Sequence, residues 1–173
     1  VVHLAAYLGD DDFYNQLPVN VVGTYNVFEA ARLAGVERVV YASSGSTVRG
    51  KEHYYPYKQI ASGEYDRIVD EVPVVTHEEI HPGGVYGAMK VWGEALGRHF
   101  SDEFDISILC VRIGSVTEGN KPDEPRQKSI FLSHKDFRVV RKTFWPFLLS
   151  PFIFITRLVQ RFKYGFLNPE IKL

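Results

Sequence analysis

The chain has 173 residues, which is enough for one domain with a hydrophobic core. Hydrophobic residues make up 45% and charged residues 24%, as in globular proteins. The formal net charge of -1 gives no electrostatic reason to expect nucleic acid or an anionic membrane as a partner. A single cysteine, Cys110, excludes an intrachain disulfide, and its apolar surroundings predict a buried thiol in a reducing, cytoplasmic compartment.

The amino-terminal end is an apolar run, VVHLAA, and the only methionine is Met89. No basic stretch precedes this run, as it would in a signal peptide. We therefore expect that residue 1 falls inside a buried strand and that the chain is a fragment of a longer protein.

Apolar periodicity predicts strands and helices in alternation. We expect strands at 1–5, 36–44 and 105–115, and helices at 19–34 and 85–100, with Gly35 as the carboxyl-terminal cap of the first helix. Residues 10–18 and 45–84 are polar and are expected to be loops. This order is typical of an α/β protein with a parallel sheet and crossover helices, in which ligands bind at the carboxyl ends of the strands.

The tail changes character, because residues 144–155 are almost wholly apolar. A membrane-spanning helix needs roughly 20 such residues, and Pro146 and Pro151 interrupt this run, so no span is expected. We favour a helix packed on another part of the protein. A membrane-surface segment and a tail foreign to the domain are the alternatives.

Tyr86 and Lys90 lie four positions apart at the start of the second predicted helix and so share one face. An ammonium beside a phenol favours the phenolate, which lowers the tyrosine pKa and allows proton exchange with a substrate hydroxyl. Ser43 and Ser44, at the end of the preceding strand, offer a hydroxyl to orient that substrate. Hydride transfer would require a nicotinamide cofactor. The pair alone is a weak signal, and a purely structural role is the alternative.

Several segments together resemble the extended short-chain dehydrogenases/reductases, the NAD-dependent epimerase/dehydratase family, and within it the uronate dehydrogenase-like branch. They are VVHLAA, NVVGTYNVFEAARLAGVERVVYASS, YGAMKVWGEALGRHF, CVRIGS and FLSHKD, and the resemblance covers about 1–136. It implies a Rossmann-type doubly wound sheet, bound NAD or NADP, and a homodimer formed through the helices 19–34 and 85–100. It further implies that 1–116 is part of the nucleotide-binding domain and that 117–173 is a remnant of the substrate-binding region.

The resemblance also implies residue roles. Tyr86 would be the acid/base, Lys90 would lower its pKa and hold the nicotinamide ribose, and Ser44 would be the hydroxyl partner, with Ser43 as the fallback. Ser115 and Arg126 would face the substrate, and Arg126 would bind a carboxylate of the substrate. Asn20 would be structural or hold water. The remaining implied cofactor contacts are Leu4, Ala5, Ala6, Ile113 and Gly114.

The chain departs from the family pattern in three places. The glycine-rich phosphate loop and the first strands are absent, and we expect them upstream of Val1, so that this fragment alone would hold dinucleotide poorly. Ser44 and Tyr86 lie 42 positions apart, farther than is usual in the family. The excess, KEHYYPYKQIASGEYDRIV, is either a lid or substrate loop or a surface insertion. Gly45 and Ser46 replace an Asn-His pair of the uronate branch, which argues against a uronic acid.

The segment HEEIH, from His77 to His81, matches a zinc-protease pattern that requires a continuous helix. Pro82 and two glycines follow it, so we expect a turn and no metal site. The sequence thus predicts an NAD(P)-dependent oxidoreductase or epimerase/dehydratase that acts on a sugar, sugar acid or nucleotide sugar. The alternatives are a non-catalytic dinucleotide-binding scaffold of the same fold and, as a minor one, a zinc metalloprotease.

Overall fold

A computed structural model describes residues 1–9 and 12–136, together with the backbone of 165–166. The apolar stretch 144–155 lies outside the described residues, so the interpretations of it stay predictions. Within the part of the chain that the structure describes, no helix is both long and apolar enough to cross a membrane.

Three parallel strands form the centre of the molecule: β1 (Val2–His3), β2 (Arg38–Ser44) and β3 (Ser107–Ile113). A short fourth strand, β4 (Gly165–Phe166), pairs antiparallel with β3. In β2, buried and partly buried residues alternate, which places Val39, Tyr41 and Ser43 inside. The predicted parallel α/β sheet is confirmed, and its register places Ser44 beside Ile113 at one edge.

The first helix begins earlier than predicted. It runs without a break through α1 (Phe13–Gln16), a π-helical stretch (Leu17–Gly23) and α2 (Thr24–Leu33). The prediction of a loop up to residue 18 is wrong from Phe13 onward, where the helix has already begun. The Asp12 carboxylate caps this helix by accepting hydrogen bonds from the Tyr14 and Asn15 amides at 2.8 and 3.1 Å. Pro18, which has no amide hydrogen, falls within the wide π-helical stretch. Gly35 ends the helix with φ of 64°, as predicted.

The second long helix, α4 (Gly84–Glu103), packs closely on the sheet. A Cβ at Gly93 would lie 2.3 Å from the Tyr41 hydroxyl, and one at Gly97 would lie 3.0 Å from Ile108. These glycines therefore set the distance between helix and sheet. The hydrophobic core lies in this interface and consists of Phe28, Ala31, Val39, Tyr41, Phe100, Ile106, Ile108 and Cys110.

The stretch between β2 and α4 is more structured than a loop. It contains α3 (Tyr57–Ser62) and 3₁₀ turns at Gly45–Thr47, Arg49–His53 and Tyr65–Arg67. We call residues 49–80 the insertion, which contains the excess segment 51–69 noted above. Backbone hydrogen bonds join the residues at its two ends, from Gly50 to His81 at 2.8 Å and from His81 to Thr47 at 2.9 Å. The helix α5 (Pro125–Ile130) packs against α3.

Candidate functional site

The two adjacent serines of β2 face different surroundings, because successive strand residues point to opposite faces. Ser43 is 3% exposed, and its hydroxyl donates to a Glu94 carboxylate oxygen at 2.5 Å. The Ser44 hydroxyl is hydrogen bonded to the Tyr86 hydroxyl and accepts the Ser46 amide at 3.1 Å. Only Ser44 therefore meets Tyr86, whereas the fallback residue Ser43 belongs to the buried network.

Close backbone contact brings Tyr86 to Ser44. The amide of Gly83 donates to the Ser46 carbonyl at 2.9 Å, just before α4 begins. A Cβ on Gly87 would lie only 2.4 Å from the same carbonyl oxygen. Any larger residue at position 87 would therefore push the first turn of α4, and Tyr86 with it, away from the end of β2.

The Tyr86 phenol is half-buried. Burial raises its pKa, since it disfavours the phenolate, and the hydrogen bond with Ser44 opposes this effect without cancelling it. The net direction is upward, so the lowering that we predicted from the neighbouring ammonium does not occur in the structure as it stands. Stabilisation of the phenolate would need a further positive or hydrogen-bonding group in the site.

Lys90 lies one turn beyond Tyr86 and is 3% exposed. Its ammonium donates to the Ala42 carbonyl oxygen at 2.6 Å and lies 4.8 and 5.5 Å from the ring centroids of Tyr41 and Tyr86. It thus approaches the face of the Tyr86 ring. Desolvation lowers the Lys90 pKa to about 8, so the amine is close to losing its proton at mildly alkaline pH.

The carboxyl ends of β1 and β3 border this pair of residues. Leu4 and Ala5 are exposed after β1, and Leu4 keeps 58% of its accessible surface. The Asn20 amide holds the backbone that follows, since its Oδ1 accepts the Tyr7 amide at 2.8 Å and its Nδ2 donates to the Tyr7 carbonyl at 3.0 Å. Of the two roles expected for Asn20, the structural one fits these contacts. The expected cofactor contacts Leu4, Ala5, Ala6, Ile113 and Gly114 lie at this edge of the sheet.

A cavity of about 670 Å³ lies in front of Tyr86. Its volume is in the range of small-molecule sites. It is lined by Leu8, Gly9, Gln16, Arg49, Glu52, His53, Lys58, Ala61, Ser62, Gly83, Gly84 and Tyr86. The insertion, expected to be either a substrate loop or a surface addition, therefore forms part of the cavity wall.

The two residues expected to face the substrate are placed differently. Ser115 exchanges backbone hydrogen bonds with the stretch around Phe131, from its amide to Ile130 and from Leu132 to its carbonyl, both at 2.9 Å. The Arg126 Nε donates to Glu52 at 2.9 Å. Neither residue is among the described side chains that line the cavity, although Arg126 reaches it through Glu52.

A buried ion pair behind the site was missed in the sequence analysis. Glu94 accepts two hydrogen bonds from Arg112, at 2.8 and 2.7 Å, and both side chains are 6% exposed. Arg112 also donates to the Glu79 carbonyl at 2.9 Å. This network joins α4, β2, β3 and the end of the insertion. Its signal in the sequence is a charged residue inside an apolar strand and another on the Tyr86 face of α4.

The metal alternative lacks the geometry it requires. His77 lies in a turn and His81 lies in a segment without regular secondary structure, so the two are not on one helix. Glu79 pairs with Lys51, and His81 stacks near Tyr54 with ring centroids 5.5 Å apart. In residues 1–9 and 12–136, no three His, Cys, Asp or Glu side chains group together as a metal site would need.

A parallel sheet with crossover helices, and with serine, tyrosine and lysine side chains at the carboxyl edge, defines a Rossmann-like α/β protein. The family described as "NAD dependent epimerase/dehydratase family" matches residues 1–135. The chain belongs to this family, and both the resemblance and the fold predicted from the sequence are confirmed.

Individual relatives agree with this placement. The chain is 36% identical over 137 residues to uronate dehydrogenase of Agrobacterium fabrum, covering 79% of this chain and 44% of that protein. It is 35% identical over 131 residues to L-arabinose 1-dehydrogenase (NAD(P)(+)) of Haloferax volcanii, covering 74% and 48%. A crystal structure of a uronate dehydrogenase mutant from Agrobacterium tumefaciens, complexed with NAD, is similar with a TM-score of 0.62 and 33% identity, over 88% of this chain and 49% of that chain. The chain spans less than half the length of these relatives.

Proposed function

We propose that this protein oxidises a hydroxyl group of a sugar or sugar acid with NAD or NADP, and that Tyr86 moves the proton. The observation that carries the proposal is the hydrogen bond between Ser44 and Tyr86 beside the cavity, with the Lys90 ammonium one helical turn away. The two relatives described above, a uronate dehydrogenase and an L-arabinose 1-dehydrogenase, are dehydrogenases by name. The family also includes epimerases and dehydratases, and related epimerase chemistry would use the same three residues.

The contacts support a proton transfer through Tyr86. A substrate hydroxyl that replaces the Ser44–Tyr86 hydrogen bond would be held between the two side chains, with Ser44 donating to its oxygen and Tyr86 accepting its proton. The buried Lys90 ammonium lies against the tyrosine ring, and a group of the bound substrate or cofactor would supply the further stabilisation that the phenolate needs. Because the unliganded Tyr86 pKa is raised, activity should increase with pH through the tyrosine titration.

The residues at the sheet edge fit a nicotinamide cofactor. Leu4 offers an exposed apolar surface and Ala5 and Ala6 have small side chains, so a flat ring could approach the backbone. Lys90 has donor capacity beyond its bond to Ala42 and suits ribose hydroxyls. When bound, the cofactor would supply the hydride acceptor. Ile113 and Gly114 would lie on its other side, and residues 1–116 would form the nucleotide-binding part.

We further propose a homodimer through the two long helices. These helices lie side by side, with Tyr25 and Phe100 in edge contact at 6.1 Å. The first helix exposes apolar side chains, with Val19 at 38%, Val22 at 49% and Tyr25 at 46%. Burial of these residues against a second copy would remove apolar surface from water. Sedimentation at several concentrations tests this assembly, and a monomer throughout would contradict it.

The test of the function is Tyr86→Phe, made in the full-length protein. We expect sugar-dependent reduction of NAD or NADP to fall by a factor of about 10² or more, because proton transfer by a positioned group contributes that much. Binding of reduced cofactor, measured by fluorescence, should change little. Tyr14→Phe is the matched control, since Tyr14 is 78% exposed and lies outside the site.

The same assay separates the alternative of a non-catalytic scaffold. A scaffold would bind cofactor but reduce none of it with any sugar in the panel. Turnover that survives unchanged in Tyr86→Phe would overturn the assigned role of Tyr86. The epimerase variant of the proposal predicts interconversion of sugars without net cofactor reduction.

A further inference from the structure

The residues that form one wall of the cavity have no role in the proposed proton transfer. Six of its twelve lining residues, Arg49, Glu52, His53, Lys58, Ala61 and Ser62, come from the stretch that begins the insertion. Three of these six carry basic side chains and one is acidic. The residues that hold the hydroxyl and those that form this wall therefore come from different parts of the fold but face the same space.

The single acidic side chain of this wall is already paired. One Glu52 carboxylate oxygen accepts from the Arg126 Nε at 2.9 Å, and the other lies 4.0 Å from the Arg49 Nε. Two guanidinium groups thus share one carboxylate, which leaves an excess of positive charge. Lys58 adds to this excess, since it forms no ion pair with residues 1–9 or 12–136.

The basic side chains stand on ordered backbone. The residue after Arg49 is fixed by the hydrogen bond from Gly50 to the His81 carbonyl at 2.8 Å, and a Cβ on Gly83 would lie 2.8 Å from Arg49 Cβ. Lys58 lies in the first turn of α3. The Arg49 side chain remains 49% exposed, so its guanidinium is free to contact a ligand. A guanidinium presents two parallel donors that fit carboxylate and phosphate equally well.

We propose that Arg49 and Lys58 bind an anionic group, a carboxylate or a phosphate, that the sugar carries on a carbon other than the one oxidised. This inference rests on the proposed function, because it requires that the reacting hydroxyl lies at Tyr86 in the same cavity. It makes the insertion the part of the chain that selects the substrate. Arg126 contacts Glu52 in the structure, and its expected role with a substrate carboxylate stays a prediction.

The test compares glucuronate, glucose 6-phosphate and glucose as substrates of Arg49→Gln, Lys58→Gln and the double variant. We expect KM for the preferred anionic sugar to rise about tenfold for each single change, since each removes a charge-assisted hydrogen bond. The kcat should stay within about threefold, because neither residue contacts the reacting hydroxyl. KM for glucose should not move. Whichever anion shows the effect identifies the group as carboxylate or phosphate.

Arg67→Gln is the matched control. Arg67 lies in the same insertion, pairs with Glu64 at 3.0 Å and does not line the cavity. It should leave KM for all three sugars unchanged. Equal effects of Arg67→Gln and Arg49→Gln, or equal effects on glucose and the anions, would overturn the proposal. Thermal unfolding of each variant checks that the fold is kept.

A binding measurement separates this inference from the proposed reaction. Calorimetric titration of the Tyr86→Phe variant with the same three sugars needs no turnover. If Arg49→Gln weakens anion binding, and the protein with Tyr86 unchanged oxidises none of the three sugars, the anion site is supported and the proposed reaction is rejected. If sugar oxidation depends on Tyr86 but does not change in the Arg49 and Lys58 variants, the proposed reaction is supported and the anion site is rejected. Failure of the unchanged protein to bind either anion better than glucose overturns the anion site.

Discussion

The two sides of the cavity are built in contrasting ways. On one side, Tyr86 stands, one turn before Lys90, on a 20-residue helix that packs against a parallel sheet through Gly93 and Gly97. On the other side, Arg49 and Lys58 stand on 3₁₀ turns and a six-residue helix. Proton transfer needs atoms held to a fraction of an ångström, which long regular elements provide. Discrimination among substrates tolerates a less regular scaffold, and irregular segments vary more readily.

The interactions that hold the two sides also differ. In the core, the Phe28 ring packs edge to face against Tyr41 of the sheet and Phe100 of α4, with ring centroids 5.6 and 5.8 Å away, respectively. The insertion leaves apolar side chains in water, with Val69 at 85% and Val74 at 64% exposure. It is held mainly by polar contacts. Since buried apolar contacts determine the free energy of local opening, the insertion should open well before the sheet and α4 do.

The largest effect is expected from Glu94→Ala, which breaks the regular side. This change leaves the Arg112 guanidinium buried without its carboxylate, and such a loss costs about 3–5 kcal/mol. Urea unfolding measures it. Asp102→Ala is the control, because Asp102 and Arg98 form a similar pair at 2.6 Å on the exposed surface, where pairs contribute about 1 kcal/mol or less. If the two variants lost similar amounts of unfolding free energy, the buried Glu94–Arg112 pair would not be a main source of stability for the sheet and α4.

The regular side of the molecule was the more predictable from the sequence. Its three strands and two long helices have apolar periodicities that burial in the sheet core enforces. The early start of the first helix was missed because its residues are polar and Pro18 suggested a break, although Asp12 is a recognisable cap. The helix α3 could not be predicted in the same way. It has six residues and packs against α5, where a Cβ on Gly63 would lie 3.0 Å from Pro125.

The candidate site was predictable in its residue types but not in its contacts. The Tyr86/Lys90 spacing places both residues on one helix face, and the structure agrees. The choice between Ser43 and Ser44 depends on which strand face meets α4, and adjacent serines give no signal for that. The raised Tyr86 pKa also escaped prediction, because it depends on how much of the phenol is buried. The Glu94–Arg112 pair joins two elements whose contact the sequence does not specify.

A gain in stability is expected when the site itself is changed by Lys90→Met. Desolvation lowers the pKa of Lys90 in the folded protein to about 8, from the ordinary value of 10.5. Below pH 8 the lysine is therefore charged in both the folded and the unfolded chain, and burial of that charge destabilises the folded protein. Between these values the unfolded chain binds more protons, and stability rises with pH. Lys90→Met should therefore raise the free energy of unfolding at pH 7 by roughly 1–3 kcal/mol, less than the full pKa change because the contact with Ala42 is lost.

Denaturant unfolding at pH 7, 8, 9 and 10 gives the measurement for Lys90→Met. The advantage of the variant should shrink as pH rises through this window, while sugar oxidation is lost at every pH. Lys121→Met, at an exposed position, should show no such trend. A variant that is less stable than the parent at pH 7 would mean that the ammonium contacts outweigh its desolvation. The site would then contribute to stability, as the rest of the regular side does.

The smallest effect is expected from Tyr57→Phe in the insertion. The Tyr57 hydroxyl donates to the Pro73 carbonyl at 2.7 Å and so links α3 to the chain that returns toward α4. Its loss should cost about 1 kcal/mol, seen as roughly fivefold faster amide exchange within 49–80 and little change in α4. Tyr54→Phe is the control, because Tyr54 is 61% exposed and contacts His81 through its ring. If exchange in α4 accelerated as much as in the insertion, the two sides would open as one unit, and the separation of chemistry from recognition would have no mechanical basis.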